Sequence, residues 1–134
     1  MTSPIKDLNE LITEINPVLH DGVYVFVSVN DEVSLNNIKV IASIHESEGY
    51  SAIIADSDAK ELGLDILFRA AWITLNVHSD LNAVGLTALF SAALAKEGIS
   101  CNVVAGAYHD HIFVPVERAK DVMRVLRQLQ DSNS

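Results

Sequence analysis

Residues 71–116 read AWITLNVHSDLNAVGLTALFSAALAKEGISCNVVAGAYHDHIFVPV, and this stretch decides the fold. Its first eight residues alternate aliphatic side chains with Trp, Thr, Asn and His, which predicts a strand with two distinct faces. Apolar residues from Leu86 to Leu94 then recur at helical spacing, and Gly98 is placed to end that helix. Residues 101–107 and 111–116 predict a hairpin around His109 and Asp110.

The sequence after this stretch completes a recognisable arrangement. Apolar residues between Ala119 and Leu129 predict an amphipathic last helix. A strand–helix–strand crossover, an antiparallel hairpin and a second helix together form a ferredoxin-like α+β unit. Such a unit has an antiparallel sheet covered by helices on one face, so the other face of the sheet needs a partner. A second unit alongside it, or a dimer, would supply that partner.

The first half of the chain predicts a related set of elements. Ser3-Pro4 is typical of a helix start, and Pro17 ends that helix. Polar residues 30–37 indicate a loop. Strands are predicted over residues 23–29, 40–45 and 50–55, followed by a short helix from residue 56 to Gly63.

A short internal repeat links the two halves. Ala59-Lys60-Glu61-Leu62 matches Ala119-Lys120-Asp121-Val122 sixty residues later, and each run follows a predicted hairpin. The repeat predicts two tandem units, one over residues 1–66 and one over residues 67–134. The first unit has no room for a long helix between Val29 and Val40, and has a helix before its opening strand instead.

The composition of the chain disfavours some functional classes. The 134 residues are 49% hydrophobic and carry a net charge of −9, so a packed core is expected and nucleic-acid binding is disfavoured. The longest apolar runs are of strand length or are broken by polar residues, which predicts no membrane span. The N-terminus shows no export signal and the chain has one cysteine, so a cytoplasmic location is expected.

Three runs carry a resemblance to a known family. Residues 78–87 (HSDLNAVGLT), 97–106 (EGISCNVVAG) and 108–115 (YHDHIFVP) resemble the small bacterial tandem ACT-domain proteins. That group is distantly similar to the ACT pairs of aspartokinases and of cytosolic arginine sensors. The resemblance implies a βαββαβ-type fold that binds an amino acid or similar small ligand between ACT units. No closing strand follows the last helix, so that strand is absent or is supplied by the other half or by another chain.

The turn before the predicted crossover helix is the first candidate for a ligand site. Free backbone N–H groups at a helix N-terminus receive carboxylates, and Asp80 would pair with a ligand ammonium group. Gly85 would allow a ligand or another backbone to approach closely. The alternative is plain helix capping by Ser79, Asp80 or Asn82, with Gly85 as a packing contact. The predicted ligand-binding residues are Asn76, His78, Ser79, Asp80, Leu81, Val84 and Gly85.

The sequence gives weaker support for a metal site, a reactive cysteine or a catalytic motif than for this ligand site. His109 and His111 suit zinc or copper, but closed zinc sites need four ligands, so a structural or interface role is favoured. Cys101 lies in an apolar strand and is expected to pack rather than react. No phosphate loop, nucleophile elbow or zinc-protease signature is present in the sequence, and no cofactor is expected.

The functional expectation is therefore a regulatory protein that is not an enzyme. It would bind an amino-acid-like small molecule at an ACT–ACT interface, regulate a separate enzyme and form a homo-oligomer, without nucleic-acid or membrane partners. The alternative is a protein–protein interaction module that binds no small ligand.

Overall fold

The computed structural model describes residues 7–78 and 80–132. The helices are α1 (Leu8–Thr13), α2 (Asp56–Leu62), α3 (Leu86–Lys96) and α4 (Ala119–Ser132), with short 3₁₀ segments at Glu32–Leu35 and Val116–Arg118. The strands are β1 (Pro17–Leu19), β2 (Tyr24–Val29), β3 (Ala42–Glu46), β4 (Gly49–Ala55), β5 (Phe68–Leu75), β6 (Asn102–Ala105) and β7 (Asp110–Pro115).

All seven strands belong to one sheet. Its order is β3-β4-β2-β5-β7-β6, and β1 pairs with β5 beside β2. Every pairing in the sheet is antiparallel. The order β2-β4-β3 in the first half mirrors β5-β7-β6 in the second, so the chain contains two units of the same strand order joined through β2 and β5. The fold is the tandem ferredoxin-like α+β arrangement that the sequence predicts.

The missing closing strand of the second unit comes from the first. β1 pairs with β5 in the register Pro17 to Leu75 and Leu19 to Ile73. Of the alternatives that the sequence left open, the structure has the one in which the other half supplies this strand.

The helices cover one face of the sheet. Alternate residues of β5 and β7, including Ile73 and Ile112, pack with α1, α3 and α4 in one cluster of buried side chains. A second cluster joins Val25 of β2 and Ile54 of β4 to Ala59 of α2. Burial of this apolar surface stabilises the fold at roughly 25 cal/mol per Å².

The opposite face, which we call the helix-free face, carries a third apolar cluster. Ile53, Ala70 and Phe113 are buried there, and the cluster contains no residue from a helix of the described chain. Val104 of β6 and Ala42 of β3 belong to the same cluster, although the two strands lie at opposite ends of the sheet order. The sheet is therefore strongly curved, and its two ends approach each other across this face.

Most predicted elements agree with the structure, with shifts at their ends. The predicted strand from residue 71 begins earlier, at Phe68, and ends at Leu75. The loop predicted over residues 30–37 contains the 3₁₀ segment Glu32–Leu35, with no long helix at that position. Gly63 ends α2 and adopts a left-handed conformation with φ of 66°. Ser3-Pro4, the predicted start of the first helix, lies outside the described residues.

Candidate functional site

The predicted ligand turn is a surface loop between β5 and α3. We call residues 76–85 the α3 entry loop. Asn76 is exposed at its start, and His78 is half-buried. Two apolar side chains of the loop face solvent, since Leu81 is 69% exposed and Val84 is 84% exposed. Ser79 lies outside the described residues.

Asp80 organises the turn. Its Oδ1 accepts a hydrogen bond from the backbone N–H of Asn82 at 2.7 Å, and its carbonyl oxygen accepts one from Ala83 at 2.9 Å. Gly85 is the N-cap of α3, with φ of 104° and no side-chain capping bond. The first turn of α3 therefore lacks a side-chain acceptor at its N-cap position, where a carboxylate is electrostatically favoured.

The α3 entry loop touches the N-terminal segment of the chain at both of its ends. A Cβ atom at Gly85 would lie 3.2 Å from Cδ2 of Leu8, the first residue of α1. The backbone N–H of Asn76 donates to the carbonyl oxygen of Asn16 at 3.2 Å. The loop thus contacts the N-terminal segment that packs into the core of the second unit, and Gly85 also makes the packing contact that the alternative interpretation describes.

Two more aromatic residues lie near this loop. The rings of His78 and Tyr108 are 5.8 Å apart. The ring Nδ1 of His109 lies 3.3 Å from the carbonyl oxygen of Val77. These contacts hold the β6–β7 hairpin turn against the start of the loop.

A chain of hydrogen bonds crosses the helix-free face. It includes His20, which the sequence did not indicate as a functional residue. Nε2 of His20 lies 2.7 Å from Oγ1 of Thr74, and that oxygen lies 2.9 Å from Nδ1 of His111. Nε1–H of Trp72 donates to the same Nδ1 at 3.1 Å. His20 also stacks on Trp72, with ring centroids 3.7 Å apart. Asn76 and His78 follow the end of β5 and take no part in this chain.

The geometry fixes the protonation of His111. An indole N–H can only donate, so Nδ1 of His111 must accept and its proton resides on Nε2. Burial lowers the pKa of His111, and the nearby His109 and His20 lower it further. Burial also lowers the pKa of His20. Both imidazoles are therefore neutral at pH 7, and for His111 the hydrogen bond from Trp72 requires it.

The structure gives no support for a metal site or a reactive cysteine among the described residues. Among residues 7–78 and 80–132, no three His, Cys, Asp or Glu side chains are placed to hold a metal ion. Burial raises the pKa of the Cys101 thiol to about 11, which leaves little reactive thiolate at neutral pH. No helix in the described part of the chain has the length and apolarity to cross a bilayer.

The helix-free face also holds two neighbouring cavities. The larger, of about 280 Å³, lies between β2, β3, β4 and Val104. The smaller, of about 150 Å³, is lined by Trp72, His111 and the segment that leads into β3. Ala42 and Val104 line both.

Two models of one protein family match the sequence. An ACT domain model matches residues 3–71, and a second ACT domain model matches residues 68–128. The chain belongs to the ACT domain family and contains two such domains in tandem. A comparison with curated proteins found no match.

Solved structures share the whole arrangement. A Vibrio cholerae protein of unknown function, described as a possible transport protein, is 41% identical, with 96% of this chain and 99% of that one covered and a TM-score of 0.81. The ligand-free regulatory subunit of aspartate kinase from Thermus thermophilus is 13% identical over 87% of this chain and 97% of its own, with a TM-score of 0.69. The Thermus flavus regulatory subunit is 12% identical over 84% and 95%, with a TM-score of 0.62.

Proposed function

We propose that the chain is a regulatory module, not an enzyme, that binds an amino-acid-like metabolite at the junction of its two ACT units. The α3 entry loop would receive the ligand, with the N-terminus of α3 facing its carboxylate and Asp80 facing its ammonium group. The regulated enzyme would be a separate protein, and a cytoplasmic location, homo-oligomer formation and unit bounds of 1–66 and 67–134 remain predictions.

The observation that carries the proposal is the position of the loop. It is exposed, its helix N-cap has no side-chain acceptor, and both of its ends contact the N-terminal segment that completes the second unit. A ligand held there would touch α3 together with the N-terminal segment and would favour one arrangement of that segment, which leads directly into the first unit. The fold shared with regulatory subunits of aspartate kinase supports the same interpretation.

The test is thermal unfolding of the purified protein with each common amino acid. A ligand present at about 100 times its dissociation constant adds about 2.7 kcal/mol of stability, which gives a clear rise in melting temperature. Asp80→Asn should weaken that rise. Asp31→Asn is the matched control, because Asp31 likewise accepts a backbone hydrogen bond in an exposed turn, from Ser34.

If no amino acid or related metabolite raises the melting temperature, the proposal fails. Recovery of a stable partner protein whose binding is independent of added metabolites would instead support the interaction module. The exposed Leu81 and Val84 give that alternative a contact surface.

A further inference from the structure

The larger cavity on the helix-free face is separate from the α3 entry loop. No residue of the loop lines it. Its walls come from β2, β3 and β4, from Leu67 just before β5, and from Val104 of β6. The cavity forms because the two ends of the sheet curve toward each other. It is therefore a concave site and not a flat surface of the kind that binds another protein.

The cavity has firm apolar walls. Phe26 and Ile53, which are paired across β2 and β4, line it, and Phe26 makes edge-on contacts to Phe68 and Phe113, with ring centroids 5.5 and 5.8 Å apart. Ile44 and Leu67 stand at its margin and are 64% and 68% exposed. These side chains leave apolar surface in contact with water, which a small apolar ligand would cover.

The volume limits the ligand to a small molecule. The cavity measures about 280 Å³. An apolar cavity of about 150 Å³ in a protein interior already binds benzene, so this one accommodates a single ring or a branched aliphatic group with a short chain.

Among the residues that the structure describes, the one ionisable side chain that lines the cavity is acidic. Glu46 lies at its rim, and its carboxylate accepts a hydrogen bond from the hydroxyl of Ser51, which also lines the cavity. Lys39 lines the smaller neighbouring cavity and not this one. The chain has a net charge of −9, so its long-range field also attracts cations and repels anions.

We propose that this cavity binds a small primary amine with an apolar aromatic or branched aliphatic body. The body lies against Phe26 and Ile53, and the ammonium group pairs with Glu46. This site is independent of the ligand proposed for the α3 entry loop.

The test compares two probes of the same shape and opposite charge, 2-phenylethylamine and 3-phenylpropionate, on the whole chain. Methyl NMR of Ile44, Ile53 and Val104 reports the location, and fluorescence of Trp72, the single tryptophan, reports on the adjoining wall. We expect saturable shifts of these methyl groups with the amine and binding at least tenfold weaker with the carboxylate.

Two variants test the body and the charge separately. Ala42→Leu should abolish amine binding by filling the cavity, whereas Ala105→Leu, at an exposed position of β6 outside the cavity, should not. Glu46→Gln should weaken amine binding about fivefold, the range of an exposed ion pair, and reduce the preference over the carboxylate. Glu48→Gln, on the same hairpin but outside the cavity, is its control.

Equal affinity for the two probes, or shifts in methyl groups elsewhere, would overturn the proposal. So would a dimer that buries Ile44 and Leu67 and dissociates on Ala42→Leu, because the face would then be a protein interface. If Ala42→Leu does not fold, methyl shifts in the unmodified chain still decide the location. Failure here leaves the amino-acid screen unaffected, since the two sites share no residue.

Discussion

At the scale of single residues, His111 has the most demanding surroundings. Its Nδ1 accepts from the indole N–H of Trp72 and lies beside the hydroxyl of Thr74. A proton on that nitrogen would face the indole proton and break the bond. A net contribution of about 0.5–1.5 kcal/mol is typical of one such hydrogen bond, so neutral His111 is part of what stabilises the helix-free face.

The first consequence is a pH dependence of stability. Burial holds the pKa of His111 in the folded protein below its ordinary value of 6.5, so the unfolded chain binds this proton more readily. The contribution of His111 to the free energy of unfolding should be fully present above pH 6.5. It should be lost as the pH drops from 6.5 through the lower pKa of the folded state. Urea unfolding at a series of pH values, followed by Trp72 fluorescence, measures this slope.

His111→Asn is the matching variant, because its amide oxygen keeps an acceptor near the position of Nδ1 and does not titrate. The slope below pH 6.5 should become shallower but should not vanish, since burial also lowers the pKa of His20. Burial raises the pKa of Asp110, which gives a slope of opposite sign at lower pH. An unchanged slope in the variant would show that His111 is not the titrating group.

Part of this hydrogen-bonded chain on the helix-free face could be predicted from the sequence. Alternation along β5 correctly places Trp72 and Thr74 on one face, and His111 attracts notice within the His-Asp-His run. His20 does not, because its contact with Thr74 spans 54 residues and depends on how β1 pairs with β5. A lone histidine before Asp21-Gly22 gives no pattern that would predict this contact.

At the scale of elements, the start of α3 depends on a glycine. Gly85 has φ of 104°, and a Cβ atom there would press on Leu8 at 3.2 Å. Gly63 ends α2 with φ of 66°, and a Cβ atom there would meet nothing within 4 Å. An alanine at Gly63 would therefore meet backbone strain alone, whereas an alanine at Gly85 would meet backbone strain and a steric contact.

Gly63→Ala should therefore cost about 1–2 kcal/mol, the ordinary penalty for a left-handed alanine. Gly85→Ala should cost more than Gly63→Ala, because the same kind of strain is joined by the contact with α1. Chemical denaturation of both variants gives the comparison. Adding Leu8→Ala to Gly85→Ala should reduce the difference if the contact with Leu8 is its cause, and equal costs for the two glycine variants would contradict this account.

Sequence patterns predict long elements better than short ones. The helices α3 and α4 each have several turns of apolar spacing, and both are predicted with nearly their true bounds. The three residues of β1 include a proline and are too few for alternation to show. Only pairing with β5 makes them a strand, so no local signal reveals it.

At the scale of the whole molecule, the two units share one sheet and should unfold together. β2 pairs with β5, and Arg69 of the second unit lies 3.5 Å from Asp56 of the first. Ile54 is fully buried in the cluster of the first unit, whereas Trp72 lies on β5 of the second.

Ile54→Ala should lower the free energy of unfolding by about 2–5 kcal/mol, the usual cost of truncating a buried isoleucine. Because the sheet is continuous, Trp72 fluorescence and far-UV circular dichroism should report the same shifted transition. Ile44→Ala is the control, since Ile44 is 64% exposed and its truncation should change stability by no more than about 0.5 kcal/mol. A Trp72 transition that stays in place in Ile54→Ala would mean that the units unfold independently.

The curvature of the sheet is the feature that the sequence predicts least. Alternation states which residues share a face, and the repeat predicts two similar units. The approach of Val104 to Ala42 depends on the twist accumulated over six strands, which no local pattern encodes. The cavity on the helix-free face could therefore not be predicted.

The pairing of β1 with β5 also constrains how the protein is made. As the chain leaves the ribosome, residues 17–19 appear more than fifty residues before their partners at 73–75. α1 waits longer still, because α4, one of the two helices that it contacts, ends at Ser132. Part of the packing of α1 therefore cannot form until α4 has been made, and until then this segment of the nascent chain stays open to chaperones and proteases.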